Sequence, residues 1–161
     1  MNLRPYDFEN DPPRIVKHLY TAMQGKEGIN TLKKSDGYFL KKPEERMRFV
    51  AEIDGELIAS LVLLRGEMSG DRHKFFLHSP ITAERYRGKG ITSLLFRYAV
   101  TWVEEKGGRL IITSTAKNNT GARKFFEKAG FTLFGELPGG TPDLAGEKRY
   151  HDEVFYYYAL R

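Results

Sequence analysis

One stretch of the chain, from Phe75 to Lys106, constrains the fold more than any other. It begins with an apolar, partly aromatic run, from Phe75 to Ile81, that is typical of a β-strand. A short turn that contains Gly88 and Gly90 follows. Beyond the turn, apolar residues recur at helical spacing, at Ile91, Leu94, Leu95, Tyr98, Ala99, Trp102 and Val103. The stretch therefore predicts a strand, a glycine turn and a helix of about sixteen residues.

The segments around this stretch predict a chain of mixed α/β type. Gly107 and Gly108 end the helix and a β-branched strand follows at 109–115, so the two strands that the helix joins should lie parallel. Asp54-Gly55 predicts a type I′ hairpin turn between two apolar strands. Pro80 cannot donate to a strand ladder, so it predicts a bulge or an edge unpaired on one side. Further elements are predicted as strands at 2–6, 131–137 and 153–160, a helix at 11–25, a helix that Gly130 ends, a loop at 137–150, and a short helix or loop at 26–42.

Composition limits the class of protein. The 161 residues fit one domain, residues 1–161, with a core large enough to be stable without cross-links. The sequence has no cysteine, which excludes disulfides and thiolate chemistry, and its four histidines show no metal-binding pairing. No run approaches the roughly 18 apolar residues of a membrane-spanning helix. We expect a soluble, cytoplasmic protein without a metal site or membrane partner, as a monomer or homodimer.

The net charge of +5 first suggests a nucleic-acid partner. However, the 26 basic residues are interspersed with 21 acidic ones and form no long basic run. Glycine-flanked aromatic residues of the RNA-recognition type are also missing from the sequence. A mildly basic surface that suits a polyanionic cofactor explains the charge better than a nucleic-acid interface does.

The turn from Arg87 to Thr92 has the composition of an anion-binding site. Its glycines let backbone N–H groups approach a ligand, and the following helix presents unpaired donors and the positive end of its dipole. Arg87 and Lys89 add positive charge, which favours a phosphate or pyrophosphate. A Walker loop is excluded because Gly90 follows Lys89, and the dinucleotide fingerprint is excluded because Ser93 replaces its third glycine. An ordinary strand–helix corner is the alternative at this point.

Two motifs resemble one known family. Arg87 to Thr92, R-x-x-G-x-T, resembles the acyl-CoA signature R/Q-x-x-G-x-G/A of the GNAT superfamily of N-acetyltransferases, with Thr92 in place of Gly or Ala. Asn119 to Phe131 resembles the second signature of that family, N-x-x-A-x-x-L-Y-E-K-x-G-F, with Phe126 in place of Tyr. The motifs lie about thirty residues apart in the expected order, and the resemblance covers roughly residues 47–137.

The resemblance implies a fold and a cofactor site. The fold is an α/β (α+β) domain with a mixed, mostly antiparallel sheet of six or seven strands and helices on both faces. Its two central parallel strands, here 75–82 and 110–115, splay apart and admit the pantetheine arm of acetyl-CoA. The residues that would bind it are Ile81 and Thr82 through backbone groups, Arg87, Gly88, Lys89, Gly90, Ile91 and Thr92 at the pyrophosphate, Asn119 at the pantetheine, and Phe126 against the acyl arm.

The departure at Phe126 leaves the chemistry open. In this family a neutral amine attacks the thioester, a base takes the amine proton, and a tyrosine often protonates the departing thiolate. Phe126 has no proton to give. Tyr86 or a tyrosine at 156–158 could replace it, or the thiolate could leave through water, because its conjugate thiol has a pKa near 8.5. Alternatively, the protein binds acyl-CoA without transferring the acyl group.

The base is the second open question. His78 lies on the strand that leads into the expected cleft and titrates in the right range, although a core or surface histidine is the alternative. Glu52, Asp152 and Glu153 are further candidates. Three hypotheses follow from the sequence: an acetyl-CoA-dependent N-acetyltransferase acting on a primary amine, a non-catalytic acyl-CoA sensor, and a basic nucleic-acid-binding module.

Overall fold

A seven-stranded mixed sheet forms the framework of the computed structural model, which describes residues 1–7, 9–11, 46–143 and 149–161. The strands follow one another across the sheet in the order β1-β2-β3-β4-β5-β7-β6. β4 and β5 run parallel, and every other pairing of the described strands is antiparallel, which confirms the predicted mixed sheet. Within the described residues, the strands are β1 Asn2–Pro5, β2 Arg46–Ile53, β3 Glu56–Arg65, β4 Lys74–Thr82, β5 Leu110–Ala116, β6 Thr132–Pro142 and β7 Tyr150–Ala159, and the α-helices are α1 Ile91–Glu105 and α2 Thr120–Ala129.

Helices α1 and α2 pack against the sheet through aromatic contacts. Trp102 on α1 lies edge-on to Phe49 of β2 and Phe75 of β4, at ring distances of 5.7 and 5.6 Å. Phe96 contacts Phe125 of α2 at 6.3 Å and Tyr158 of β7 at 5.3 Å. The crossover from β4 through α1 to β5 was predicted from the sequence and is confirmed. The helix predicted at 11–25 and the ambiguous segment 26–42 fall almost wholly outside the described residues.

The β2–β3 hairpin has the turn that its sequence predicts. Asp54 and Gly55 both have positive φ, at 50° and 79°, as a type I′ turn requires. The hairpin pairs Ile53 with Glu56 directly beside the turn. Its strands carry much of the core, because the side chains from Leu57 to Leu63 are buried.

Replacing Gly55 by alanine is expected to lower the free energy of unfolding by about 1 kcal/mol, because a Cβ is disfavoured at positive φ. A Cβ at Gly55 would meet no atom within 4 Å, so the cost comes from the backbone alone. Gly70 is equally open but has no positive φ, which makes Gly70→Ala the matched control with little expected change. Urea denaturation measures both variants, and equal stabilities would contradict the interpretation of the turn.

The last hairpin extends further than the sequence predicted. A strand at 131–137 and a loop at 137–150 were expected, but β6 continues to Pro142, where it pairs with Tyr150. The ladder shifts register between Leu137 and Thr141 and then resumes. This irregularity suits the glycine- and proline-rich segment, since β6 lies at the edge of the sheet and Pro138 can be accommodated there.

Candidate functional site

β4 and β5 separate after a short junction. They form three ladder pairs, which join Lys74–Phe76 to Leu110–Ile112. One residue further, the Thr113 hydroxyl donates to the Leu77 carbonyl at 3.0 Å, so a side chain takes the place of the next backbone bond. Beyond this point lies a cavity of about 200 Å³, which we call the slot. It is lined by Phe76, Leu77, His78, Ser79, Pro80, Ile112, Thr113, Ser114 and Phe155.

A bulge in β4 forms the wall of the slot. The register against β3 shifts between the pairs Val62–His78 and Ser60–Ile81, and Ser79 has a positive φ of 49°. The Ala83 amide donates to the Ile58 carbonyl at 2.8 Å on the β3 side. Because backbone groups alternate sides along a strand, the polar groups of Thr82 and Pro80 point toward the slot. Pro80 therefore loses no ladder bond, which confirms the bulge and the unpaired edge expected from its position.

The turn from Arg87 to Thr92, which we call the glycine turn, lies beyond the end of β4. Gly88 and Gly90 have φ values of 76° and 75°, and α1 begins directly after Gly90. The Leu94 amide is the first to bond within the helix, to the Gly90 carbonyl at 3.0 Å. No described residue accepts a hydrogen bond from the amides of residues 88–93. These donors and the positive end of the helix dipole favour an anion such as a phosphate group at this point.

Thr82 connects the end of β4 to the glycine turn. Its hydroxyl lies 2.5 Å from that of Thr92, and its carbonyl accepts from Arg87 Nε at 3.2 Å. Lys89 Nζ lies 5.3 Å from the ring centre of Tyr86. The side chains of Ile81 and Ile91 are buried in the core, so these two residues can offer a ligand their backbone groups alone. Arg87 and Lys89 are both exposed and bring their charges to the turn.

Asn119 serves as the cap of α2. Its side-chain oxygen accepts from the Ala122 amide at 3.2 Å, and its side-chain nitrogen donates to the Thr115 hydroxyl at 3.1 Å. This capping role is compatible with the pantetheine contact that the resemblance implies, because the exposed amide group retains a second N–H and a second lone pair.

Phe126 lies in the core and not on the surface of the slot. It is 1% exposed and packs against Phe125, Phe131 and Tyr156 at ring distances of 5.3 to 5.5 Å. The Tyr156 hydroxyl donates to Glu127 and accepts from Arg123, both at 3.2 Å, and is therefore occupied at α2. None of the described tyrosines lines the slot.

His78 lies where two cavities meet. It lines the slot and also a larger cavity of about 340 Å³, whose other walls include Arg46, Glu67 and Phe76. Partial desolvation, followed by the nearby charge of Arg46, holds the pKa of His78 below its usual value of 6.5. The imidazole is therefore neutral at pH 7 and can accept a proton.

The three candidate carboxylates are not equivalent. Glu52 forms an ion pair with Arg4 at 2.8 Å, near the β1 edge of the sheet and away from the slot. The Asp152 carboxylate accepts from the Gly139 amide at 3.1 Å. Glu153 accepts from the hydroxyl of Ser114, a residue of the slot wall, at 2.6 Å. Glu153 is thus the candidate with a direct contact to that wall.

Phe96 of α1, the helix that follows the first motif, packs against Phe125 and Phe131 of the second motif. His78 lies at the slot, and the glycine turn begins five residues after the end of β4. Asn119 caps α2, and Phe126 is enclosed by other aromatic rings. Sequence reasoning missed the Thr82–Thr92 and Ser114–Glu153 contacts, since each joins residues on different elements and carries no sequence signal.

Comparison with known families gives one match by sequence. Residues 13–131 match the family described as the acetyltransferase (GNAT) family. Curated protein sequences give no match to the chain. Among the described residues, neither helix combines the length and apolar character needed to cross a membrane.

Comparison with solved structures shows the same fold. An acetyltransferase of the GNAT family from Streptococcus pneumoniae is 16% identical, covers 99% of both chains and has a TM-score of 0.80. A ribosomal-protein-alanine N-acetyltransferase from Brucella melitensis is 17% identical over 99% of this chain and 100% of its own, with a TM-score of 0.77. An aminoglycoside 6′-N-acetyltransferase in complex with coenzyme A is 16% identical over 99% and 97%, with a TM-score of 0.73.

Proposed function

Because the chain belongs to the GNAT family of acetyltransferases, we propose that it transfers an acetyl group from acetyl-CoA to a primary amine by direct attack. The acceptor is a small molecule or a peptide. Two of the similar structures are named as N-acetyltransferases, which supports a nitrogen acceptor. In this proposal residues 1–161 act as one domain in the cytoplasm, as a monomer or homodimer and without a nucleic-acid partner.

The main observation that supports this proposal is the separation of strands β4 and β5. A ligand with amide groups can bond to the backbone on the slot side of β4, at Pro80 and Thr82, where the β4–β5 ladder has ended. Beyond the slot, the glycine turn and the next residue, Ser93, offer six amides without a described acceptor, those of residues 88–93, and Arg87 and Lys89 lie beside them. Pantetheine amides followed by a pyrophosphate match that order of donors along the site.

Each part of acetyl-CoA can be assigned to residues that the sequence analysis named. The backbone of Ile81 and Thr82 would contact the pantetheine, and residues 87–92 would bind the pyrophosphate. Asn119 has donor capacity left for the pantetheine beside its capping bond. Phe126 would support the site from within the core, because its side chain is enclosed by other rings.

When bound, acetyl-CoA supplies a thioester whose carbonyl carbon accepts the lone pair of the amine. The slot holds the two reactants together, which removes much of the entropic barrier to a reaction between separate molecules. His78 accepts the proton of the attacking nitrogen, because its lowered pKa leaves the imidazole neutral at pH 7. The departing sulfur takes its proton from water, since the described tyrosines do not line the slot.

His78→Gln is expected to lower kcat/KM by about a hundredfold, the lower range for loss of a general base. In the parent protein, kcat/KM should fall on the acid side with a midpoint below the ordinary histidine pKa of 6.5, because desolvation lowers the pKa of His78 and protonation removes the base. The profile of kcat/KM against pH measures both effects. A His78→Gln variant that keeps the same acidic decline would assign the base to another group, with Glu153 tested next by Glu153→Gln.

Calorimetric titration with acetyl-CoA, followed by thiol release with a panel of primary amines, tests the proposed function. Binding with turnover of at least one amine supports it. Failure to bind acetyl-CoA contradicts it. So does binding of a nucleic acid with an affinity that falls steeply with salt and that CoA does not change. Binding without turnover of any amine would favour a non-catalytic acyl-CoA sensor, which the enclosed, hydroxyl-free ring of Phe126 gives reason to consider.

A further inference from the structure

The glycine turn has little packing at its two glycines. A Cβ placed on Gly88 or Gly90 would meet no atom within 4 Å, so the turn projects into open space at these positions. Both glycines have positive φ, and glycine has the greatest conformational freedom of any residue. A turn that binds a pyrophosphate through several amides at once needs these donors fixed in advance, because ordering them on binding weakens affinity.

Two hydrogen bonds hold the turn at a single residue. The Thr92 hydroxyl, in the first turn of α1, bonds to that of Thr82, and the Arg87 side chain bonds to the Thr82 carbonyl. Arg87 and Thr92 are the first and last residues of the glycine turn, so both of its ends are anchored to the last residue of β4. Thr82 is 8% exposed, which makes its hydroxyl costly to leave without a partner.

We propose that the Thr82–Thr92 hydroxyl pair is a positioning device that pre-orders the glycine turn for the pyrophosphate of CoA. This inference rests on the proposed function and goes beyond it, because it assigns a role to the residue at which this chain departs from the R/Q-x-x-G-x-G/A signature. Ala or Gly at position 92 would leave the Thr82 hydroxyl without this partner. The pair acts through the backbone amides and does not contact the reacting atoms.

The inference makes a ligand-specific prediction. Thr82→Val and Thr92→Val each remove one hydroxyl at nearly constant volume, and each should weaken CoA binding about fivefold, the value of one net hydrogen bond. The double variant should bind no more weakly than either single variant, because both remove the same bond. S-acetylpantetheine lacks the pyrophosphate, so its affinity should not change. Thr92→Ser keeps the hydroxyl and should restore CoA affinity.

Calorimetric titration of the full chain with CoA and with S-acetylpantetheine tests this. Thr101→Val, on the same helix and far from the turn, is the matched control and should leave both affinities unchanged. Thr92→Ala, a residue that the signature itself allows, serves if a valine variant fails to fold, and it should also weaken CoA binding. If the parent chain binds CoA and both Thr92→Ala and Thr92→Val bind it as tightly as the parent, the inference is overturned and the proposed function is not. The inference is also overturned if the two valine substitutions lower CoA affinity additively in the double variant, or if they lower the affinity for S-acetylpantetheine as much as that for CoA. A parent chain that binds no CoA overturns the proposed function together with the inference.

Discussion

Gly90→Trp is expected to abolish CoA binding, with a loss of at least about two orders of magnitude in affinity, since several charge-assisted hydrogen bonds are removed together. Gly90 precedes α1 at a φ of 75°, a backbone conformation that a side chain disfavours. The space next to its Cβ position is empty within 4 Å, so an indole would extend from the glycine turn into the space that we propose for the pyrophosphate. The bulk and the distorted turn both act against a bound pyrophosphate.

Calorimetry with CoA measures this effect, and circular dichroism shows whether the fold persists. Gly70→Trp is the matched control, because Gly70 has open surroundings in the short 3₁₀ helix Ser69–Asp71 before β4 and should accept the ring with CoA affinity unchanged. Unchanged CoA affinity in Gly90→Trp would remove the glycine turn from the site.

Gly108→Ala is expected to lower the free energy of unfolding by about 3 kcal/mol, at the upper end for an overpacked core position. A Cβ at Gly108 would lie 2.2 Å from Val103 Cγ1, 2.8 Å from Phe75 Cε2 and 2.9 Å from the Val103 carbonyl oxygen. None of these atoms is the end of a flexible side chain, so helix α1 and strand β4 would have to move apart. The Gly108 amide also donates to that carbonyl at 2.8 Å, which fixes the backbone at the end of the helix.

Gly107→Ala is the control for this variant. Gly107 has a positive φ of 72° but open surroundings, so its replacement should cost about 1 kcal/mol from backbone strain alone. Urea denaturation of both variants separates the two causes. If Gly107→Ala were the more damaging of the pair, the tight contact of Gly108 with Val103 and Phe75 would not describe the folded protein.

Elements set by local patterns were predictable from the sequence. The apolar spacing from Ile91 to Val103 gave the position of α1, and the Asp54-Gly55 pair gave the hairpin turn, because both signals act over a few neighbouring residues. The parallel arrangement of β4 and β5 followed from the helix that joins them. Pro80 predicted the interrupted ladder for the same reason, since the missing N–H is a property of the residue itself.

Features set by contacts between distant residues were not predictable. The Thr82–Thr92 bond depends on how β4 ends against the first turn of α1, and the enclosure of Phe126 depends on rings from α2 and β7. The extent of β6 was missed because its pairing with Tyr150 and His151 compensates for a composition that usually predicts a loop. The two candidate motifs were visible in the sequence, but the individual contacts of their side chains were not.

The three-pair junction between β4 and β5 also affects the cooperativity of the whole domain. Strands β1 to β4 form one half of the sheet, and β5, β7 and β6 form the other. Few backbone bonds cross between the halves, so their mechanical coupling depends largely on α1 and on the aromatic contacts of Phe96 with Phe125 and Tyr158. A cosubstrate that bonds to both walls of the slot would act as the missing strand and convert two loosely joined halves into one cooperative folding unit.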